Sequence, residues 1–313
     1  MSNCCCSFII PVYNSESYIE RCIDSVLKLT EVSWEVILVD DGSTDSSYAI
    51  CRKYAELDKR IRLFHQSNHG VSFARNFALS MATGDYVVFL DSDDWIDHEA
   101  FTFCIQVMCQ TDVDILQSPT EKVLEVNTRI DANDLWDECL KKSEEYIASG
   151  NYYVCIGGNI IKTDIIRKND IRFLVDIKLA EDQIFIMDCI RNSYQVFRAS
   201  QSFYKYYVNV NGATNTSKSC HMVDSCYALS KYKTMYPEFQ SMIDYTLLYF
   251  IWYIIDNNDV PVTQLCHLLK NARLSKNSKF SSVETLFMRL SSVMPLCGVY
   301  FVKFYKHIKE WLF

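Results

Sequence analysis

Three carboxylates crowd a short stretch that directly follows an apolar run. Asp91, Asp93 and Asp94 come after the sequence VVFL, in the order DSDD. Like charges this close repel one another, so they are tolerated where they are solvated, cap a helix or are neutralised by a cation. An Asp-x-Asp pair at a strand end offers the oxygen ligands that Mg²⁺ and Mn²⁺ prefer, and these ions often bind through one or two carboxylates plus substrate phosphates. The stretch therefore predicts either a helix cap or a metal–diphosphate site.

A second acidic pair follows an earlier apolar run. Asp40 and Asp41 end the sequence EVILVDD, and Asp45 lies in the turn that follows. Taken singly, each of these acids is more often a helix cap than a ligand. Two acidic strand ends in one open sheet, however, can meet at a single site. The sequence contains neither G-x-x-x-x-G-K-[ST] nor G-x-G-x-x-G, so phosphates would have to be held by a metal ion at these acids.

The first hundred residues alternate between strand and helix patterns. This β-α-β-α order predicts an α/β fold, with a mostly parallel sheet covered by helices and ligands bound beyond the carboxyl ends of the strands. Both acidic clusters lie at such ends. The predicted strands are CCSFIIPVY (5–13), 35–40, 61–65 and 86–90, and the predicted helices are SESYIERCIDSVLKL (15–29), with Ser15 as its N-cap, 46–57 and 71–82.

The composition is that of a globular protein in a reducing compartment. The 313 residues are 49% hydrophobic, which suffices for one large domain or two modest ones. The 14 cysteines are scattered without a CxxC pair, which favours reduced thiols. The absence of Lys and Arg before Arg21 argues against a signal peptide, and apolar stretches such as YTLLYFIWYII (245–255) are shorter than the roughly 18 residues of a spanning helix. We therefore expect a cytoplasmic protein.

The charge is unevenly distributed along the chain. The net charge of -8 argues against nucleic acid as a partner. Residues 262–313 nevertheless carry eight Lys and Arg against two acids, a balance of +6, which leaves -14 for residues 1–261. The C-terminal part is therefore predicted to have a different surface from the rest.

Four sequences, in this order, resemble the family 2 glycosyltransferases: FIIPVYNSESYIERCIDSVL, ILVDDGSTDSS, GVSFARNFALSMATGDYVVFLDSDDWI and EDQIF. The resemblance is strong over residues 6 to about 110 and looser over 155–188. It implies a GT-A-like fold that binds nucleotide sugars, with Mn²⁺ or Mg²⁺ as cofactor. It further implies a metal-dependent transferase of hexosyl or N-acetylhexosaminyl groups.

The resemblance assigns the donor-binding residues. A carboxylate only accepts hydrogen bonds, so at the nucleobase it selects an edge that donates, which uracil and guanine both offer. UDP is thereby preferred and GDP stays open. Tyr13 could instead be a core aromatic residue, and Arg75 a solvated helix charge. The implied roles are Pro11 and Tyr13 at the wall of the nucleobase site, Asp41 as acceptor of the uracil N3–H, Arg75 at the nucleotide or its diphosphate, Asp91 near the ribose or the metal, and Asp93 as metal ligand.

The same resemblance implies the catalytic base. Asp182, the second acid of EDQIF, matches the residue that takes the proton from the acceptor hydroxyl, and Glu181 and Asp94 are possible accessory residues. In the alternative, Glu181 and Asp182 are ordinary acids at a helix N-terminus, where the dipole stabilises them. With the base on one side and a metal at Asp93 acting as Lewis acid on the leaving diphosphate, the reaction is a single displacement that inverts the anomeric configuration.

The predicted organisation has a catalytic part and a helical part. Residues 1–215 form the nucleotide-sugar-binding and catalytic domain, with a donor half over 1–110 and an acceptor half over 111–215. Residues 216–313 form a helical C-terminal region. The predicted function is transfer from a UDP-sugar to a saccharide or lipid-linked saccharide acceptor, in surface polysaccharide or lipid-linked oligosaccharide assembly.

Two rival functions are kept open. A nucleotidyltransferase acting on a sugar phosphate would use a similar fold and acidic site, but it usually has a Gly-rich basic loop near the first strand, which PVYNSESY lacks. A catalytically silent nucleotide-sugar-binding module would keep the sheet and lose the chemistry. The presence of Asp41, Asp93 and Asp182 speaks against such a loss.

The last fifteen residues, VYFVKFYKHIKEWLF, have the pattern of a basic amphipathic helix with aromatic anchors. The apolar face of such a helix could pack on the protein itself or lie on an anionic membrane. The positive balance of residues 262–313 and a lipid-linked acceptor favour the membrane. The corresponding location is peripheral, at the inner face of the plasma membrane.

Overall fold

The computed structural model describes residues 4–125, 128–130, 138–149, 153–208, 219–257, 261, 264–265 and 267–268. The chain divides into two compact units. The first consists of Met1–Val175 and Glu181–Gly212, and the second of Asp176–Ala180 and Ala213–Phe313. Eleven cysteines in the described part of the chain are free thiols.

The first unit is built on an eight-stranded mixed sheet. In sheet order its strands are β3 (Ile61–Gln66), β2 (Ser33–Asp41), β1 (Cys5–Val12), β4 (Tyr86–Phe89), β10 (Asn159–Lys162), β6 (Ile115–Gln117), β11 (Gln195–Arg198) and β9 (Cys139–Lys142). The first four are parallel, β10 is antiparallel to both of its neighbours, β11 is parallel to β6, and β9 is antiparallel to β11. The predicted parallel sheet is thus confirmed for its donor half.

A smaller sheet packs into the same unit. Its strands, in order, are β5 (Trp95–Ile96), β12 (Tyr204–Tyr207), β7 (Thr120–Glu125) and β8 (Thr128–Ile130). Tyr204 pairs with Ile96 on one side and with Thr120 on the other. This sheet therefore brings a late strand of the unit beside the residues that follow the acidic stretch.

Seven helices cover the large sheet in the described part of the first unit. They are α1 (Ile19–Leu27), α2 (Ser47–Leu57), α3 (Val71–Met81), α4 (His98–Thr111), α5 (Ser143–Ser149), α6 (Thr163–Lys168) and α7 (Glu181–Asn192). The α/β fold predicted from the alternating pattern is confirmed. The central strands are buried on both faces, as expected for covered parallel strands: Phe8, Ile9, Val36 and Ile37 are fully inaccessible to solvent.

The prediction that Ser15 caps the first helix is wrong. The helix begins at Ile19, after Tyr18. The backbone carbonyl of Ser15 accepts the N–H groups of Tyr18 and Ile19, so a turn precedes the helix. The Ser15 hydroxyl is instead 2.7 Å from the hydroxyl of Ser92.

The second unit contains two long helices, α8 (Ser219–Met235) and α9 (Gln240–Asn257), joined by a short 3₁₀ helix over Pro237–Phe239. Helical structure after residue 216 was predicted, and these helices confirm it as far as the described residues extend. Within that part of the chain, no helix is long and apolar enough to cross a membrane. The predicted amphipathic helix over 299–313 lies outside the described residues.

Candidate active site

The acidic stretch forms a turn at the carboxyl end of β4. We call Asp91–Asp94 the acid turn, and the N–H of Asp94 closes it by donating to the carbonyl of Asp91 at 3.0 Å. Burial and the neighbouring charge of Asp91 raise the pKa of Asp93 to about 6. No hydrogen bond or ion pair from another described residue engages the Asp93 carboxylate, which stays partly exposed. Asp93 is therefore open to an external cation or donor.

Asp94 has a different environment from its neighbour. It is 1% exposed, and its carboxylate accepts hydrogen bonds from the Tyr204 hydroxyl at 2.6 Å and the Tyr207 N–H at 2.7 Å. Burial, together with the charges of Asp91 and Asp93, raises the pKa of Asp94 well above its ordinary value. Asp94 therefore anchors the acid turn to β12.

Arg75 joins the acid turn to the acidic pair Glu181–Asp182 at the start of α7. One of its terminal nitrogens donates to Asp91 at 2.7 Å and the other to Glu181 at 3.2 Å. The guanidinium is buried and lies over the Phe173 ring, 5.3 Å from the centroid. Arg75 was expected at the nucleotide or its diphosphate, and its position beside Asp91 puts it at the acid turn.

Aromatic packing brings the acid turn and α7 together. Phe89 ends β4, and its ring contacts both Phe173 and Phe185 edge-on. Phe173 and Phe185 stack face to face with ring centroids 4.0 Å apart. Asn76, next to Arg75, exchanges two hydrogen bonds of 2.8 Å with the backbone of Phe173. The ARN sequence of α3 thus fixes the segment that leads to α7.

Two adjacent acids at the start of α7 have different surroundings. Glu181 is buried and paired with Arg75, whereas Asp182 is partly exposed and its carboxylate accepts the N–H of Gln183 at 2.8 Å. Burial raises the pKa of both groups, and the nearby Arg75 charge partly offsets this rise. In the part of the chain that the structure describes, no cationic side chain contacts the Asp182 carboxylate, whereas Arg75 contacts Glu181, so Asp182 is the freer of the two to accept a proton.

Asp41 ends β2 and holds the loop that precedes α3. Its carboxylate accepts hydrogen bonds from the Gln66 side chain at 2.7 Å and from the backbone N–H groups of His69 at 2.9 Å and Gly70 at 2.8 Å. A carboxylate offers about four acceptor positions, so these three hydrogen bonds leave one, on a residue that is 4% exposed. Gly42 follows with φ 75°, and a Cβ there would lie 2.9 Å from the backbone nitrogen of Asn68. Glycine therefore permits the close approach of this loop to β2.

The remaining donor-side residues lie at the same edge of the sheet. Pro11 pairs with Val39 one residue before Asp40. Tyr13 follows β1 and is 49% exposed, so it is not a core residue. Asp40 is buried and accepts from His65, whose ring nitrogen is 2.7 Å away.

The acids fit a metal bound jointly with a phosphate ligand. In the residues that the structure describes, no group of three or more His, Cys, Asp or Glu could hold a cation unaided. Mg²⁺ and Mn²⁺ do not require such a cage when substrate phosphates complete the shell. Asp93, with its unengaged carboxylate, and the partly exposed Asp91 are the residues that would hold the ion.

Sequence reasoning found the acids but missed what surrounds them. Arg21, Tyr204 and Tyr207 form hydrogen bonds to the acid turn, and Arg21 also lies over the ring of Trp95, the residue that follows the turn. Tyr204 and Tyr207 lie more than a hundred residues further along the chain, and no motif marks them. Arg21 could have been suspected, because it lies on the helix that follows the first strand end.

The family is decided by a match over the region just described. The sequence model of glycosyl transferase family 2 matches residues 7–168. The chain belongs to glycosyl transferase family 2. This match confirms the resemblance to the family and favours a glycosyltransferase over a nucleotidyltransferase.

Curated relatives of this glycosyltransferase include EpsJ and TarS. EpsJ of Bacillus subtilis, described as an uncharacterized glycosyltransferase, is 32% identical over 218 residues, which is 66% of this chain and 62% of EpsJ. TarS of Staphylococcus aureus, a poly(ribitol-phosphate) beta-N-acetylglucosaminyltransferase, is 32% identical over 203 residues, which is 64% of this chain and 35% of TarS. The matches therefore span less than two thirds of either relative.

Solved structures with the same fold extend further along the chain. S. aureus TarS 1–349 in complex with UDP-GlcNAc superposes with a TM-score of 0.72 at 20% identity, over 96% of this chain and 91% of that one. The mannosyltransferase PcManGT from Pyrobaculum calidifontis, in complex with GDP-Man and Mn²⁺, gives a TM-score of 0.53 at 14% identity, over 95% and 85% of the two chains. These similarities establish the GT-A-like fold.

Proposed function

We propose that this family 2 glycosyltransferase transfers a sugar from a UDP-sugar to an acceptor hydroxyl with inversion at the anomeric carbon. The observation that carries the proposal is the bridge from Asp91 through Arg75 to Glu181, which sets Asp182 beside the acid turn. Binding a donor and taking a proton from an acceptor require residues from both motifs in one place. The bridge supplies that proximity.

The donor side favours uracil. Asp41 has one acceptor position left after three hydrogen bonds, which suits a single N–H of a base edge. Pro11 and the exposed Tyr13 lie at the same edge of the sheet as Asp41. In this proposal they form the walls of the nucleobase site. The complex of TarS with UDP-GlcNAc supports UDP, and the complex of the mannosyltransferase with GDP-Man is the reason to test GDP as well.

The diphosphate would meet the acid turn together with Mg²⁺ or Mn²⁺ held by Asp93 and Asp91. Such an ion supplies Lewis-acid stabilisation to a leaving diphosphate. Asp94 keeps the turn in place from its buried side, through Tyr204 and Tyr207. Arg75 keeps the Asp91 carboxylate oriented and lowers the repulsion among the acids.

Asp182 acts as the base in this proposal. Its raised pKa and partial exposure suit a group that accepts a proton from the attacking hydroxyl. Attack from the face opposite the diphosphate gives one displacement and an inverted product. Glu181 forms an ion pair with Arg75 and thereby orients the Arg75 guanidinium.

The acceptor is proposed to be a saccharide, a lipid-linked saccharide or a related polyol polymer of surface polysaccharide assembly. The support is the activity of TarS on poly(ribitol-phosphate), a polymer rich in hydroxyl groups. The sugar transferred is a hexosyl or N-acetylhexosaminyl group.

A donor screen tests the proposal. Thermal unfolding and donor hydrolysis are measured for a panel of UDP- and GDP-sugars, each with and without Mn²⁺. We expect stabilisation and slow hydrolysis with one or more UDP-sugars, and dependence of both on Mn²⁺. Stabilisation by no nucleotide sugar, with no hydrolysis of any, would contradict the proposed function.

A further inference from the structure

Arg21, in α1, forms a hydrogen bond to the backbone of the acid turn. A terminal nitrogen of its guanidinium donates to the carbonyl of Asp93 at 2.5 Å. The guanidinium lies over two rings, 4.0 Å from the centroid of Trp95 and 4.9 Å from that of Tyr207. Arginine is suited to this place because a planar guanidinium can stack and donate at once.

Within the described part of the chain, no carboxylate lies in salt-bridge contact with Arg21, and its Nε is buried without a hydrogen-bond partner. Burial lowers the pKa of Arg21, while Tyr207, Asp94 and Asp93 partly counter that effect. The hydrogen bond of Arg21 to the Asp93 carbonyl and its closeness to the Asp93 and Asp94 charges point to a role at the acid turn.

Tyr204, in β12 of the smaller sheet, also forms hydrogen bonds to the acid turn. Its hydroxyl donates to the Asp94 carboxylate at 2.6 Å and accepts the N–H of Asp91 at 3.2 Å. One hydroxyl thus joins the first and last residues of the turn. The Tyr204 ring packs closely against Gly157, where an added Cβ would lie 2.7 Å from the ring's Cζ.

Further contacts from α1 and the residues before it hold the backbone around the acid turn. The Ser15 hydroxyl bonds to the Ser92 hydroxyl at 2.7 Å, and the Cys22 thiol approaches the Asp91 carbonyl at 3.6 Å. Past the turn, the Ser25 hydroxyl accepts the N–H of Ile96 at 3.1 Å. These contacts leave the carboxylate of Asp93 unengaged while its backbone is held.

We propose that Arg21 and Tyr204 are positioning residues, which hold the acid turn so that the Asp93 carboxylate is presented to the metal and diphosphate of the donor. This inference rests on the proposed function, because it assumes a donor diphosphate at Asp93. Neither residue touches the donor in this scheme. Both act through the turn, one on the Asp93 carbonyl and one on Asp91 and Asp94.

Two pairs of variants test the positioning role with matched controls. Tyr204→Phe removes one hydroxyl and keeps the ring. Its control is Tyr54→Phe, because the Tyr54 hydroxyl donates to Asp24 at 2.8 Å and does not contact the acid turn. Arg21→Met removes the hydrogen bond to the Asp93 carbonyl. Its control is Arg60→Met, because the Arg60 guanidinium also stacks on a tryptophan, Trp34, at 3.6 Å. Arg21→Lys keeps a donor for the Asp93 carbonyl and should regain part of the function.

The readout is direct binding of Mn²⁺ to the protein–UDP complex, followed by the electron paramagnetic resonance signal of free Mn²⁺. We expect Tyr204→Phe and Arg21→Met to weaken Mn²⁺ binding by roughly tenfold to hundredfold, as removal of outer-shell partners typically does. UDP binding without metal, measured by calorimetry, should change by less than about threefold, since Asp41 is untouched. The two control variants should match the wild type in both measurements.

The outcomes separate the inference from the proposed function. Wild-type Mn²⁺ affinity in both Tyr204→Phe and Arg21→Met, with circular dichroism showing folded proteins, would overturn the positioning role and leave the proposed function intact. Loss of metal-free UDP binding along with Mn²⁺ binding would indicate general damage and would also overturn it. If the wild-type protein binds neither UDP nor Mn²⁺ with UDP, the proposed function fails and the inference falls with it.

Discussion

Asp182 and Glu181 are neighbouring acids with different surroundings. Both lie at the start of α7, yet Glu181 contacts Arg75 and Asp182 does not. The ion pair engages the Glu181 carboxylate, whereas the Asp182 carboxylate is partly exposed, and the pKa of both groups is raised. Proton transfer in the proposed reaction therefore depends on one of the two.

We expect Asp182→Asn to lower turnover by roughly 10²-fold or more, because the amide cannot accept the hydroxyl proton. UDP binding should stay unchanged, since the residue does not hold the nucleotide. Steady-state kinetics with donor and acceptor, together with UDP calorimetry, checks both. Asp164→Asn, a change on the surface of α6, serves as control. Full transfer by Asp182→Asn would move the base elsewhere, with Glu181 the next residue to test.

Residue types at the site could be predicted from the sequence, but their pairing could not. Asp91, Asp93 and Asp182 follow from spacing and from the family resemblance. The contacts of Arg75 with Asp91 and Glu181 join positions 16 and 106 residues apart, and no local pattern encodes such distances. The Tyr204 hydroxyl likewise contacts Asp94 across 110 residues.

At the scale of elements, Glu35 ties the start of the parallel sheet together. Its carboxylate accepts from the Ser7 hydroxyl at 2.7 Å, from the N–H and hydroxyl of Thr83 at 2.6 and 2.8 Å, and from Arg62 at 3.0 Å. These groups belong to β1, β2, β3 and the segment before β4. Burial alone raises the pKa of Glu35, but these hydrogen bonds outweigh it and leave the pKa below its ordinary value.

We expect Glu35→Gln to lower the free energy of unfolding by about 2 kcal/mol at neutral pH, because hydrogen bonds to a charged group are lost. Since the folded-state pKa is depressed, the stabilisation is present above the pKa of an unfolded glutamate, about 4.3, and is lost as pH falls through the lower folded value. Urea unfolding at several pH values tests this, with Glu56→Gln as an exposed control. An equal difference at pH 7 and pH 3 would contradict the assigned cause.

The two long helices of the second unit share a buried ion pair. The Lys233 ammonium lies 2.5 Å from the Asp244 carboxylate, and the side chains are 10% and 0% exposed. We expect Lys233→Met to destabilise α8 and α9 by about 3 kcal/mol, because a buried carboxylate loses its ion partner. The double variant Lys233→Met/Asp244→Leu should be more stable than this single variant. Thermal unfolding with helix-sensitive circular dichroism measures both, and a double variant less stable than Lys233→Met would refute the explanation.

Element order could be predicted wherever the hydrophobic pattern was long. The strands of the donor half and helices α2 and α3 lie within two residues of their predicted ends, because apolar periodicity and burial agree there. The small sheet could not be predicted, since β5 has only two residues and its partner β12 follows a hundred residues later. The reversed direction of β10 in the large sheet also leaves no mark on its apolar run.

At the scale of the whole molecule, the basic C-terminal part contrasts with the acidic remainder. We propose that the segment 299–313 attaches the enzyme to an anionic membrane surface, where each Lys or Arg is worth about 1 kcal/mol. A lipid-linked acceptor would explain the need for such attachment. The segment lies outside the described residues, so the proposal rests on its sequence.

Vesicle flotation tests the membrane proposal. The full chain should float with anionic vesicles, less so at high salt, and a chain ending at residue 298 should not. Neutral vesicles provide the control for charge. Absence of binding by the full chain, or equal binding by the shortened one, would refute the proposal and favour packing of the segment on the protein itself.

We propose that the acid turn binds the diphosphate of a UDP-sugar with a divalent ion at Asp93. Calorimetric titration of UDP, with and without Mn²⁺, into the wild-type protein, Asp93→Asn and the surface control Asp112→Asn tests this binding mode. We predict that Mn²⁺ strengthens UDP binding to the wild type and the control. The Asp93→Asn variant should lose that gain, by at least about 1.5 kcal/mol or roughly tenfold in Kd, and keep the metal-free affinity. Failure of the wild type to bind UDP, or an undiminished Mn²⁺ effect in Asp93→Asn, would contradict the account.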